Sequence, residues 1–104
     1  MEMIVLWSDA AIEELQKIFD YYNTAVSFKV ASTITNTIVD KTLTLEHYPR
    51  IGQTEELLKH LQKEIRYLVE GNYKIVYWIE DNFVNIATIF DCRQNPKKLK
   101  TLEL

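Results

Sequence analysis

The sequence predicts an α+β domain in which an antiparallel helix hairpin packs on a twisted, mainly antiparallel four-stranded sheet, in the order β-α-α-β-β-β. Large apolar side chains alternate with other side chains from Tyr73 to Ile79, which is the period of a pleated strand. Two earlier segments repeat their apolar residues at helical spacing instead. A pair of helices on one sheet is the economical way to bury both patterns.

The last third of the chain is predicted to form a three-stranded meander at residues 65–69, 73–80 and 83–90. Residues 70–72 and 81–82 separate these strands and contain Gly71, Asn72 and Asn82, which accept the positive φ of short hairpin turns. Strict alternation in the last strand places apolar side chains on both faces: Phe83, Ala87 and Ile89 against Val84, Ile86 and Phe90. Both faces of the sheet should therefore be covered, with the helices over one of them.

The first half of the chain supplies a strand and the two helices. Residues 4–7 are too short an apolar run for a helix and suit a first strand. Ser8 is a good N-cap and Asp9 favours the positive helix end, so the first helix should span residues 8–22. The second helix is predicted at residues 27–46. Its β-branched residues lower helix propensity, but a strand of this length would exceed the usual ten residues.

The segments that flank the meander are less regular. Tyr48-Pro49-Arg50-Ile51-Gly52 predicts a turn that ends the second helix. For residues 53–63 the sequence allows either one or two helical turns or a loop that is pinned to the core by its leucines. Residues 97–104 form a short basic tail, for which a helical turn is also open.

Composition limits the class of protein. A single domain over residues 1–104 is expected, because 104 residues with 47% apolar content suffice for one core. The one cysteine, Cys92, is predicted to be half-buried at a strand end and makes no internal disulfide. The sequence shows neither a secretory signal nor an apolar run of about 18 residues, so no membrane contact and a cytoplasmic location are expected.

Several kinds of chemistry lack the residues they need. Cys92 has no recognisable base, because His47 and His60 are in no catalytic arrangement with it. No histidine or cysteine pair has metal-ligand spacing, and no glycine-rich loop could hold a phosphate, so neither a metal nor a cofactor is expected. The aromatic residues of the meander are interpreted as core rather than as a base-stacking platform: Tyr67, Tyr73, Tyr77 and Trp78.

The cations of the meander are the candidates for a site. Arg66 and Lys74 are predicted to be cross-strand neighbours across their hairpin, and Arg93 follows the next strand, so one edge or face could gather all three. Such a set could hold a scissile phosphate or an acidic partner. The alternative is a solvated face in which these cations pair with carboxylates, namely Glu64, Glu80 and Asp91.

These residues together resemble the bacterial RelE/ParE superfamily of type II toxins, which includes the ParE plasmid-stabilisation group. The resemblance covers nearly the whole chain. Its motifs are the Trp7-Ser8-Asp9-Ala10 helix start, the Pro-x-x-Gly turn at residues 49–52, the Arg66-x-Leu68-x-x-Gly71-x-Tyr73-x-Ile75-Val76-Tyr77 signature, and Asp91-Cys92-Arg93-x-x-Pro96. It implies the β-α-α-β-β-β fold and a cognate antitoxin partner.

For activity, the resemblance implies a ParE-like toxin that binds DNA gyrase rather than cutting RNA. Lys74 stands where superfamily nucleases usually have arginine, and Leu99 stands where they have a catalytic tyrosine, although Arg93 matches their strand-end arginine. Target contact is expected at Arg93, Lys97 and Lys98. Antitoxin contact is expected at apolar residues of the tail: Leu99, Leu102 and Leu104.

Two alternatives remain open at this stage. One is a ribosome-dependent mRNA endoribonuclease of the RelE type, which would act on mRNA with Arg66, Lys74 and Arg93. The other is a diverged, non-toxic protein-interaction module.

Overall fold

The computed structural model describes residues 2–102 and residue 104. Two helices and five strands form it: β1 (Ile4–Trp7), α1 (Asp9–Ala25), α2 (Phe28–Leu43), β2 (Gln53–Thr54), β3 (Glu64–Glu70), β4 (Tyr73–Glu80) and β5 (Phe83–Asp91). The sheet has the order β1-β5-β4-β3-β2, in which β1 pairs parallel with β5 and the other neighbours are antiparallel. The predicted α+β fold is confirmed. The sheet has five strands and not the predicted four, because β2 was not predicted.

Side-chain caps fix where both helices begin. The Ser8 hydroxyl oxygen accepts a hydrogen bond from the Ala11 amide, and Ser27 caps α2 in the same way through the Val30 amide. Each cap satisfies an amide that has no partner inside the helix. Threonine hydroxyls of α2 donate hydrogen bonds to carbonyls of the preceding helical turn; that of Thr35 donates to the Ala31 carbonyl at 2.9 Å. The helical period therefore outweighs the β-branched composition, and a single 3-10 turn at Thr44–Glu46 extends α2.

The larger hydrophobic core lies between the helix hairpin and one face of the sheet. Ala11 and Ile18 of α1 and Ile38 of α2 are buried in one cluster with side chains of β3, β4 and β5. The period-two alternation predicted for β4 is confirmed, since four side chains of one face belong to this core: Tyr73, Ile75, Tyr77 and Ile79.

A β-bulge changes the face of side chains in the middle of β5. Val76 lies opposite Thr88 and Tyr77 lies opposite Ile86, so Ala87 is left without a partner in the register. An extra residue reverses the alternation beyond it. As a result Ile86 and Ile89 both face the helices, while Ala87 belongs to the opposite face. The strict alternation predicted for this strand was wrong.

Two short 3-10 helices cover the opposite face of the sheet. The loop helix is Glu56–Leu61 and the tail helix is Pro96–Thr101. Each inserts one leucine, Leu58 or Leu99, into a second hydrophobic cluster with Val76 of β4. Both interpretations left open for residues 53–63 therefore contribute, because the segment is helical and is also held by its leucines.

The exposure of Cys92 differs from the prediction. It lies one residue beyond β5 and is exposed rather than half-buried. Its amide continues the ladder by donating to the Asn72 carbonyl at 2.7 Å. The backbone is thus anchored, while the residue as a whole faces solvent.

Candidate interaction site

Arg66 and Lys74 lie on opposite faces of the sheet. The turn between β3 and β4 has two residues, which places Arg66 opposite Tyr77 and Lys74 opposite Val69. Arg66 shares the face of Leu68, which packs against the helices, whereas Lys74 shares the face of Val76. The prediction of cross-strand neighbours was wrong: the three-residue turn that it assumed would place Lys74 opposite Leu68, on the face of Arg66, and the observed two-residue turn moves Lys74 to the other face.

Arg93 lies apart from Arg66 as well. It follows Asp91, which is opposite Tyr73, whereas Arg66 is opposite Tyr77. Four residues along a strand separate those two levels by about 13 Å. The structure therefore brings no pair of these three cations together on one face of the sheet.

Each of the three cations is paired with a different carboxylate. Arg66 Nε lies 3.0 Å from Glu64, and Lys74 Nζ lies 3.0 Å from Glu55. Arg93 makes a bidentate pair in which Nε and Nη2 donate to the two Asp91 carboxylate oxygens at 2.9 and 2.8 Å. Of the three carboxylates predicted as partners, Glu64 and Asp91 are confirmed. The partner of Lys74 is Glu55, not the predicted Glu80. Glu64 also pairs with Arg50 at 2.8 Å, so this group keeps one net positive charge, whereas the charges of Lys74 and Arg93 are each matched by one carboxylate.

Glu55 is the buried partner of Lys74 that the sequence did not predict. It is 3% exposed, and besides Lys74 it accepts a hydrogen bond from the Leu57 amide. The Lys74 ammonium also lies 4.1 Å from the centre of the Tyr67 ring, a cation-π contact. Nothing in the sequence distinguishes Glu55 from its exposed neighbour Glu56, because β2, which directs Glu55 inward, was not predicted.

The pKa shifts at these pairs follow from their geometry. The Arg93 hydrogen bond is the main reason that the pKa of Asp91 lies below its ordinary value, and the same pair raises the pKa of Arg93. At Glu64, burial raises the pKa, but hydrogen bonds from Arg50 and Arg66 outweigh it and lower the pKa overall. Both carboxylates are thus charged at neutral pH and hold their cations in place.

A cavity of about 380 Å³ surrounds Arg93. Its lining includes Lys17 and Tyr21 from α1 and Tyr73 from β4. We call this the Arg93 surface. A neighbouring cavity of about 450 Å³ shares Gln94 with it and is bordered by Lys98 of the tail helix. Arg93 and Lys98 therefore line neighbouring cavities, and Lys97 is an exposed residue next to Lys98 in the chain.

The tail leucines pack on their own domain. Leu99 is 2% exposed within the second hydrophobic cluster, and Leu102 and Leu104 are partly buried against the same cluster. Leu99 therefore covers part of this sheet face and exposes almost none of its own surface. Leu102 and Leu104 keep an accessible part.

Tyr77 anchors the turn that carries the Pro-x-x-Gly motif. Its buried hydroxyl donates to the Pro49 carbonyl at 2.8 Å and accepts from the Gly52 amide at 3.1 Å. Arg66 Nη1 donates to the Gly52 carbonyl at 2.8 Å. Burial is the main cause of the raised pKa of Tyr77. Arg66, predicted as a catalytic candidate, thus holds this turn.

One group of possible metal ligands occurs among the described residues. Glu2, Glu46 and His47 place ligand atoms within 4.8 Å of one another, an arrangement that the sequence did not predict. Glu2 and His47 are exposed and lie 3.6 Å apart. Over residues 2–102 and 104, no helix is long and apolar enough to cross a membrane.

Comparison with known proteins identifies the family. Residues 5–96 match the family model for the ParE toxin of the type II toxin-antitoxin system parDE. The chain belongs to the ParE toxin family. The predicted toxin of a type II toxin-antitoxin system is thereby confirmed, and this ParE toxin has an antitoxin as its implied partner.

A solved structure agrees with this assignment at the level of the fold. The chromosomal ParDE toxin-antitoxin system from P. aeruginosa superposes with a TM-score of 0.73 at 18% sequence identity, over 86% of this chain and 96% of that chain. A search of curated proteins found no significant match.

Proposed function

We propose that this ParE toxin arrests growth by binding DNA gyrase in the cytoplasm and that its antitoxin neutralises it by binding the toxin directly. The observation that carries the proposal is the pairing of Arg66, Lys74 and Arg93 with three separate carboxylates at three separate places. Cations that are paired and dispersed serve structure and protein contact better than phosphate chemistry.

The nuclease alternative needs features that the described chain does not combine. Phosphate cleavage requires cations that converge on one phosphate and a general acid or base beside them, which typically contributes about 10² to 10⁴ in rate. Leu99, at the position of the nuclease tyrosine in the resemblance, is buried and apolar. A binding mode of action needs neither feature.

The Arg93 surface is the proposed contact with the target. Arginine and tyrosine are enriched among the residues that dominate binding energy, and Arg93 and Tyr21 supply both beside an open cavity. Asp91 holds the guanidinium in one orientation, which lowers the entropy lost on binding. Lys97 and Lys98 extend this surface with charge that can steer an acidic partner.

The tail is proposed as part of the antitoxin contact. Leu102 and Leu104 present their accessible parts, and Leu99 fixes the tail on the sheet below them. Apolar anchors of this kind suit an antitoxin segment that orders on contact.

A supercoiling assay tests the proposed target. Purified toxin added to gyrase and relaxed plasmid should block supercoiling, and Arg93→Ala should need a roughly tenfold higher concentration, as expected for one charge-assisted contact. Lys59→Ala, on the loop helix, is the matched control because Lys59 is exposed and also pairs with a carboxylate. Undisturbed supercoiling at excess wild-type toxin would remove gyrase as the target.

A further inference from the structure

Three side chains with metal-binding groups meet where the N-terminal segment passes the turn after α2. Glu2 lies just before β1, Glu46 ends the 3-10 turn and His47 follows it. Their ligand atoms, two carboxylate oxygens and one imidazole nitrogen, all lie within 4.8 Å of one another. We call this group the Glu2 cluster. The contacts proposed above for gyrase and for the antitoxin do not use it.

The spacing of the Glu2 cluster suits a small divalent cation. A Zn²⁺ ion holds nitrogen and oxygen ligands at about 2.0 to 2.2 Å in a tetrahedral arrangement, which separates two ligand atoms by roughly 3.4 Å. His47 Nε2 lies 3.6 Å from Glu2 Oε1, so these two atoms already stand close to that separation. A Glu46 oxygen lies within 4.8 Å of both residues' ligand atoms, a gap that a rotation of its flexible side chain can close.

The backbone on both sides of the cluster is fixed. The Met3 amide donates to the Glu46 carbonyl at 2.8 Å, which ties the N-terminal segment directly to the turn. The next amide, that of Ile4, donates to the Asn82 carbonyl at 2.9 Å. Within the turn, Leu45 is fully buried in the larger hydrophobic core. The ligands are therefore held near one another before a cation binds, which lowers the entropy cost of binding.

The carboxylates of the cluster have no lysine or arginine partner among the residues that the structure describes. Neither Glu2 nor Glu46 forms a salt bridge with such a side chain, whereas the carboxylates that face the meander cations all do. With a neutral imidazole, the cluster offers two negative charges and one nitrogen lone pair. This charge is what a divalent cation requires of its ligands.

The imidazole decides the class of cation. Mg²⁺ and Ca²⁺ prefer six or more oxygen ligands, whereas imidazole suits Zn²⁺ and related divalent ions of the first transition row. Cys92, the one cysteine, is not a member of the cluster, so the ligand set contains no thiolate. Three protein ligands on a tetrahedral ion leave the fourth position to water.

We propose that the Glu2 cluster binds one divalent transition-metal ion of the Zn²⁺ type through Glu2, Glu46 and His47. The ion links the N-terminal segment to the end of α2 and so clamps β1, at the edge of the sheet, to the helix layer. Glu2 is far from the other two ligands in the chain, so the site exists only in the folded state and the ion stabilises that state.

Calorimetry with ZnCl₂ tests the site. Full-length toxin without a histidine tag, stripped of metal by a chelator, should bind one Zn²⁺ per chain. Glu46→Gln and His47→Gln should each weaken the affinity about tenfold or more, because even the loss of an indirect partner of a ligand has an effect of this size. His60→Gln is the matched control. His60 is the other histidine and is exposed on the loop helix, so its loss should leave the affinity unchanged.

Two further variants complete the test. Glu2→Gln should weaken Zn²⁺ binding as much as Glu46→Gln does. Cys92→Ser should leave it unchanged, because this exposed thiol lies outside the cluster. Zn²⁺ should raise the thermal unfolding midpoint of the wild type and of His60→Gln, but not that of His47→Gln. Equal midpoints of all variants in chelator would exclude a folding defect.

The absence of Zn²⁺ binding by the wild type, or binding that survives in His47→Gln or Glu2→Gln, would overturn the proposal. Loss of binding in Cys92→Ser or His60→Gln would do the same, because it would assign the ion to other side chains. Binding of Mg²⁺ as tight as that of Zn²⁺ would also contradict the proposal, since the imidazole would then not act as a ligand.

Discussion

Tyr77 shows what can and cannot be predicted at the scale of single residues. Its place on the buried face of β4 follows from the period of two. Its second role, as partner of Pro49 and Gly52, joins residues that are 25 to 28 positions apart in the chain. No local sequence pattern predicts such a contact, because the partners of the hydroxyl are distant in the chain and are set by the packing of the loops.

Tyr77→Phe should lower the free energy of unfolding by about 1 to 3 kcal/mol. The change keeps the ring but leaves the Pro49 carbonyl and the Gly52 amide without their partner. Urea denaturation measures the loss. Tyr48→Phe, at a residue that is 65% exposed, should be neutral. A Tyr77→Phe variant as stable as this control would show that water replaces the hydroxyl.

Glu64 should make stability depend on pH. Its folded-state pKa lies below the usual value of 4.5, because hydrogen bonds from Arg50 and Arg66 outweigh the opposing effect of burial. The resulting stabilisation is fully present above the unfolded pKa and is lost as the pH falls through the folded pKa.

Glu64→Gln should therefore be less stable than the wild type at pH 7, by less than about 1 kcal/mol because the pair is partly exposed. The difference should close in acid, at a pH below the folded-state pKa of Glu64. Denaturation at both pH values tests this, with Glu13→Gln on the exposed face of α1 as the control. A difference that persists in acid would assign the effect to packing.

At the scale of elements, the helices and the meander follow from sequence because each has a sustained period and clear end signals. The short strand β2 and the two 3-10 helices do not, because they are too brief to show a period. Their leucines indicate that something covers the second sheet face. Which segment does so depends on long-range packing.

Leu99→Ala should cost about 2 to 5 kcal/mol, the range for a buried leucine. The side chain is 2% exposed and packs in one cluster with Leu58 and Val76. Leu43→Ala, at a residue 50% exposed near the end of α2, is the matched control and should cost much less. Equal thermal stability of the two variants would mean that the tail does not hold the sheet face in solution.

At the scale of the whole molecule, the faces on which the cations lie depend on turn length. A three-residue turn would place Lys74 opposite Leu68 and on the same face as Arg66, but the two-residue turn places Lys74 opposite Val69 and on the other face from Arg66. The sequence thus predicts the family and the fold. The faces on which the charged side chains lie can be predicted only when the register of the strands is known. That arrangement favours a toxin that binds over one that cuts.

Mapping of mRNA ends on translating ribosomes tests this conclusion most directly. Purified wild-type toxin, added to ribosomes that translate a defined message, should leave the mRNA as intact as a sample without toxin, at the concentrations used in the supercoiling assay. Lys74 and Arg93 are each paired with one carboxylate, and Arg66 shares Glu64 with Arg50, so the three cations do not converge on one phosphate. Cleavage at codon intervals by the wild-type toxin, abolished by Arg93→Ala, would contradict the account and identify the chain as a nuclease.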